Sequence, residues 1–227
     1  MTRITVVPEV AFTIGPVRVT DTVVTSWIVM AVMILLSYLV SRRLSLRPTP
    51  AQEVLEALFA STEKTVREVL PVDPWLALPV VATLWLMIGF DNLAGLIPGL
   101  TTPTADLNTT FAFAAISFSM THIVGIRTQG LAGYLAHYRE PSWILFPFHI
   151  IAEMTRTVAL AIRLFGNMLS GDMIAVILLG VVGFLVPVPF ALLHVIIGII
   201  QAYIFGVLTL VFIAGGSGRE AQDRGFR

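Results

Sequence analysis

Phe148–Val186 reads FHIIAEMTRTVALAIRLFGNMLSGDMIAVILLGVVGFLV, a proline-free stretch of 39 residues bounded by Pro147 and Pro187. It is mostly apolar, yet Arg163 stands near its middle. As one helix it is about 58 Å long at about 1.5 Å per residue, against a hydrocarbon core about 30 Å thick. Such a helix must tilt steeply or bend. An arginine within lipid is costly on every scale, and its guanidinium cannot shed a proton to escape the cost. Something must face Arg163.

The remainder of the chain agrees with a membrane setting. Of 227 residues, 56% are hydrophobic and only 12% charged, and mean hydropathy is +0.88. Zero net charge leaves no nucleic-acid footprint. The absence of cysteine removes disulfides, thiolate metal sites and a cysteine nucleophile. Residues 1–21 interleave polar and charged positions unlike a cleavable signal peptide, so they are expected to form an exposed, partly extended arm on the outer side.

Outward from the long helix, hydropathy and prolines divide the chain into one membrane domain over 22–214 and a charged, glycine-rich cytoplasmic tail over 215–227. Spanning helices are expected at about 22–42, 75–97, 108–127, 145–186 and 189–214. Between the first two, residues 51–70 place Val54, Leu55, Leu58, Val66 and Val69 at helical spacing among charges, the pattern of an amphipathic helix lying on the membrane surface. Thr128 to Pro141 is expected to be a polar connector. The fold class is therefore an all-α polytopic membrane protein with five membrane-embedded helices and one surface helix. Arg42, Arg43, Arg47, Lys64, Arg67, Arg127, Arg139 and the tail arginines fall on one side of five crossings. The turns Pro98–Leu107 and Pro187–Pro189 lack Lys and Arg. The positive-inside rule then puts the N-terminus outside and the C-terminus in the cytoplasm.

At about 100° per residue from Arg163, Arg156 falls near 20°, Asn167 near 40°, Ala152 and Ser170 near 340°, Ala159 near 320° and Gly166 near 300°. Arg163 thus lies on a face of small and polar residues, which a neighbouring helix could approach closely. That contact could be static. Asp172 is on the opposite side of the helix, near 180°, and Glu153, near 80°, can pair with Arg156. Asp91 on another helix is a possible internal partner for Arg163; the stronger expectation is a carboxylate from another subunit. By depth, Asp172, His194, Asp91 and Asn92 form an outer polar group. His149, Glu153, Arg156, Thr121 and His122 form an inner one. Intramembrane acid and histidine sets mark proton or ion paths, and histidine titrates near neutral pH. For His122 and His149 the plainer expectation is a hydrogen-bonded bundle histidine.

The run RLFGNM at Arg163–Met168, its continuation Ser170-Gly171-Asp172, His194 seven residues before Gln201, and DNLAGLIPG at Asp91–Gly99 resemble subunit a of the membrane sector of F-type ATP synthases. The likeness covers nearly everything after residue 20. It implies a steeply tilted helix pair against a rotating ring of c subunits, with the b subunits of the peripheral stalk and the rest of the complex as further partners. Arg163 matches the arginine that faces the ring carboxylates, Asp172 and His194 the outer half-channel, Gln201 and Asn167 the residues beside the arginine. The resemblance further implies a bacterial inner-membrane stator subunit, non-catalytic and without a nucleotide site or cofactor. The translocated ion is expected to be H+, with Na+ as the alternative. Asp172 stands where glutamate is common in the family, and Asp91 is an extra acid that could widen a proton path or suit sodium coupling.

Rival functions find less support. A secondary transporter calls for matching halves around broken helices, and none stands out. An intramembrane hydrolase needs a nucleophile or a metal cluster with a base in reach, and Glu153 with scattered histidines lacks that spacing.

Overall fold

A computed structural model of the chain describes residues 10–14, 17–42, 50–70, 74–97, 99–139, 146–183 and 187–216. The arginines at 3, 43, 47, 219, 224 and 227 lie outside the described residues, as do the connector beyond 139 and the tail beyond 216.

The extended arm pairs with itself. Strand β1, Val10–Ile14, runs antiparallel to β2, Val17–Thr20, with Phe12 opposite Val19 and Thr13 opposite Arg18. In β2 the exposed Arg18 alternates with the buried Val19, the two-residue period of a pleated strand.

Helix α1, Asp21–Arg42, carries its acid in the first turn and its base in the last, as the helix dipole favours. Only Thr22, Thr25 and Val29 are buried along it. Helix α2, Pro50–Val69, buries Gln52, Thr62 and Val66 but exposes Val54, Leu55, Leu58 and Phe59. That exposed stripe is the apolar face a surface helix offers a membrane. Helix α3, Pro74–Ala94, stops short of the expected Ile97. Leu96 and Ile97 bond back to the carbonyls of Leu93 and Ala94, so the last turn tightens to three residues. A 3-10 turn at Pro103–Ala105 leads into α4, Leu107–Arg139.

Helix α4 departs most from expectation, because much of the expected connector is helical. At Gly130 the backbone turns to φ 72, ψ 162, a left-handed conformation that suits glycine, and helix then resumes. Helix α5, Phe146–Val182, is an unbroken 37 residues. It ends at Gly183, φ 84, a left-handed residue of the kind that stops helices. Helix α6 covers Pro187–Gly216. Among the described residues five helices, α1 and α3–α6, are long and apolar enough to cross a membrane. The protein is an all-α, multi-pass membrane protein.

The chain forms two compact units. One takes in Met1–Leu46, Trp85–Phe111 and Ala161–Tyr203. Within it Gly89 of α3 faces Ala202 of α6, and the rings of Trp85 and Tyr203 lie 5.2 Å apart. The other takes in Arg47–Leu84, Ala112–Leu160 and Ile204–Arg227. Within it Ser117 donates to Thr209 at 2.9 Å, Gln129 donates to the Gly216 carbonyl at 2.9 Å, and Val124, Phe205 and Leu210 are fully buried.

Candidate functional site

Helix α5 has one covered face. Leu160, Ala161, Leu164 and Met168 are buried, at the spacing of a helix stripe packed on its neighbours. Ala152, Arg156, Ala159, Arg163, Gly166, Asn167 and Ser170, the small and polar face, are exposed. Arg163 therefore points away from the body of its own chain. Among the described residues it has neither a hydrogen bond nor an ion pair. Asp91 is not its partner, for that carboxylate is fully buried and, among the described residues, neither oxygen is hydrogen-bonded.

The first unit also holds Asn167, Gln201, Asp172 and His194. Asn167 donates its amide hydrogen to the Gln201 side-chain oxygen at 2.7 Å, so the buried glutamine meets the asparagine rather than Arg163. On α5 the change from Arg163 to Asp172 is nine residues, two and a half turns, which turns Asp172 onto the other side. There its Oδ1 lies 3.7 Å from Nε2 of His194 on α6. This is ion-pair range but longer than a hydrogen bond, and among the described residues that imidazole nitrogen has no hydrogen-bond partner. Gly171 makes the approach possible: a Cβ there would overlap the His194 ring. The sequence separates these two residues by more than twenty positions, and the structure brings them together.

Asn92 is tied on both ends. Its Nδ2 donates to the Gly198 carbonyl at 2.8 Å, and Thr104 donates to its Oδ1. Asp106 is tied similarly, accepting from the Asn108 backbone N–H at 2.9 Å and from the Thr22 hydroxyl at 2.6 Å. It thereby caps α4 and anchors α1. Thr102, which sequence reasoning passed over, is buried. Its hydroxyl sits where a Cβ on Gly95 would be. The missed signal was the density of hydroxyls in TTPTAD, Thr101–Asp106, within so apolar a chain.

The second unit collects the other polar group. His122 Nδ1 lies 2.9 Å from the Phe118 carbonyl and 3.8 Å from Glu153. Because a carbonyl only accepts, Nδ1 is the donor in this contact. The ring sits between Phe118 and Tyr134, centroids 4.2 and 5.9 Å away. Tyr134 folds back there from beyond the Gly130 break, a contact the sequence did not announce. Arg156 places its guanidinium 4.7 Å from the Phe212 ring centre. A small cavity is lined by Thr121, Glu153, Arg156, Thr157 and the rings of Phe118 and Phe212. His149 is exposed near the start of α5. Among the described residues no group of three or more His, Asp or Glu could hold a metal.

Comparison with known proteins reaches almost the whole chain. The profile of a family described as ATP synthase A chain matches residues 23–214. Among individual proteins, the chain is 50% identical over 207 residues to ATP synthase subunit a 2 of Pelobacter propionicus, covering 91% of each. It is 48% identical over 210 residues to ATP synthase subunit a 1 of Hahella chejuensis, covering 92% of this chain and 89% of that one. To ATP synthase subunit a of Legionella pneumophila it is 45% identical over 217 residues, covering 95% and 94%.

Proposed function

The chain belongs to the ATP synthase A chain family, and we propose that it provides the two half-channels through which ions reach and leave a rotating ring of c subunits. The observation that carries this reading is Arg163, an exposed guanidinium, unpartnered among the described residues, on an open face of small residues in a membrane helix. A permanent cation so placed needs an anion from outside the chain, and a ring carboxylate passing that face supplies one.

On the outer side, Asp172 and His194 take up the ion. The acid accepts it and the imidazole 3.7 Å away can pass a proton on, so the proposed ion is H+, with Na+ as the alternative. A ring carboxylate loaded there becomes neutral and can rotate into lipid. After nearly a full turn it discharges into an inner path through the group around Glu153 and His122. Arg163 stabilises the ionised carboxylate at the interface and repels any cation that would pass straight from one path to the other. Asn167 and Gln201, bonded to each other at 2.7 Å, hold α5 and α6 in register beside it. A membrane potential contributes about 2.3 kcal/mol per charge per 100 mV, and the bound ion converts this into rotation. The subunit itself is non-catalytic and carries no nucleotide site. Its setting is the bacterial inner membrane, N-terminus outside and C-terminus in the cytoplasm, with the peripheral-stalk b subunits holding it against the torque.

The test is Arg163→Ala in the assembled complex, in inverted membrane vesicles. ATP-driven ion pumping should vanish and passive leakage should rise. Normal pumping by that variant would sink the reading. Pumping with and without sodium assigns the ion.

A further inference from the structure

The inner polar group contains a second arginine. Arg156 precedes Arg163 by seven residues, two turns of α5, and so shares its side of the helix. It is held differently. Its guanidinium rests 4.7 Å from the centre of the Phe212 ring on α6, a cation steadied by an aromatic face, and among the described residues it makes no ion pair. A guanidinium does not give up its proton, so the charge is permanent. An apolar side chain would pack on Phe212 at less cost within a membrane helix, and the charge itself calls for a use.

The cavity beside it shows that use. Its volume is about 10 Å³, room for no more than one water. Of its walls only Glu153, Thr121 and Thr157 offer side-chain oxygen, and each threonine hydroxyl already donates to a backbone carbonyl one turn back, at 3.0 Å. Two phenyl rings and the Arg156 guanidinium make up the rest. A proton and a metal cation fare differently in such a place. The proton travels as an O–H or N–H bond on a side chain, needs no ligand shell, and neutralises the carboxylate that carries it. A sodium ion must shed its water, find oxygens to replace it, and remain a full charge beside a fixed cation. We infer that Arg156 is the specificity-determining residue of the inner path, admitting H+ and turning metal cations away. This rests on the half-channel reading above and gives the chain its own part in the choice of ion. Phe212 acts as a positioning residue that keeps the guanidinium at the cavity wall.

The chain has no cysteine, so Thr157→Cys places a single reporter thiol in the cavity wall. The experiment uses the assembled ATP synthase in inverted membrane vesicles, with Ag+ as the probe, a monovalent metal cation that binds thiolate. After timed exposure, excess silver is precipitated with chloride, and the thiol still free is counted by alkylation of the denatured chain. This readout depends neither on pumping nor on the ion preference of the ring. Adding Arg156→Gln to the reporter should speed silver binding at least roughly tenfold, as removal of a like charge predicts, while Arg156→Lys should leave it slow. Methyl methanethiosulfonate, small and neutral, should react at a rate that Arg156→Gln changes little. An unchanged silver rate in assembled Arg156→Gln complexes overturns the inference, and so does an equal rise for silver and the neutral reagent, because the arginine would then only fill space. Where Arg156→Gln does not assemble, Phe212→Leu takes its place: freeing the guanidinium from its seat should speed silver more than the neutral reagent, and equal effects overturn the inference. Arg163→Ala keeps the two readings apart: loss of pumping there with an unchanged silver rate removes only the filter.

Discussion

Gly171 lies against the imidazole of His194, so closely that a Cβ on the glycine would overlap the ring. The absence of a side chain at 171 is thus what lets α6 bring its histidine to 3.7 Å from Asp172. Gly171→Ala should push the ring out of its seat while slightly favouring the helix itself, by about 1 kcal/mol of propensity. The expected outcome is an assembled complex whose ATP-driven pumping drops several-fold, as proton transfer demands placement within hydrogen-bond reach. Pumping at the normal rate would show that the glycine seat does not matter.

Arg163→Lys tests what the guanidinium supplies beyond charge. Lysine keeps the cation but loses the planar fork that meets a carboxylate with two hydrogen bonds. Pumping should be lost nearly as fully as with Arg163→Ala, whereas passive leakage should stay low because a positive charge still stands in the way. Equal leakage in the two variants contradicts the repulsion argument.

The Asn167 to Gln201 bond, 2.7 Å long, joins α5 to α6 at a buried glutamine whose Nε2 has no hydrogen-bond partner among the described residues. Asn167→Ala removes the bond that Gln201 does have, and the unpaired amide should cost about 1–3 kcal/mol. Gln201→Leu alongside it should cost less than the two single changes summed. Thermal unfolding of the detergent-solubilised complex measures both. Additive losses would mean that the two side chains do not act as a pair.

Thr22 donates to Asp106 at 2.6 Å while Asp106 caps α4. Thr22→Val keeps the volume but strips one partner from a buried carboxylate. A loss of about 1.5–3 kcal/mol is expected for a hydrogen bond to a charged group, read as a lower unfolding temperature. Thr22→Ser should lie close to the parent. If valine and serine behave alike, the anchor is in the packing and not in the hydroxyl.

Sequence patterns carried the long-helix architecture well, and for physical reasons. Hydropathy marks a spanning helix because every lipid-facing position must be apolar, and a charge as expensive as Arg163 announces itself. The small-residue face of α5 was legible too, since 100° periodicity is a local property. What depended on chain-to-chain approach was not legible. Nothing local says that Gln201 meets Asn167, that Gly171 seats His194, or that Thr102 covers Gly95, because each is set by how separate helices pack. Gly130 was hidden for another reason: a single left-handed residue interrupts α4 without ending it, so the polar stretch after it looked like a connector. The hairpin of Val10–Ile14 with Val17–Thr20 was visible only as an extended arm.

The open face around Arg163 has a consequence for biogenesis. A newly inserted chain holding an unmatched arginine near the centre of a membrane helix carries a penalty of about 2.5–3.5 kcal/mol on insertion scales. On the proposed function, docking against a carboxylate-bearing ring removes that penalty, which corresponds to a preference of roughly a hundredfold for the docked over the solitary chain. On the same reading the solitary subunit is the incomplete one, and the ring is best assembled first.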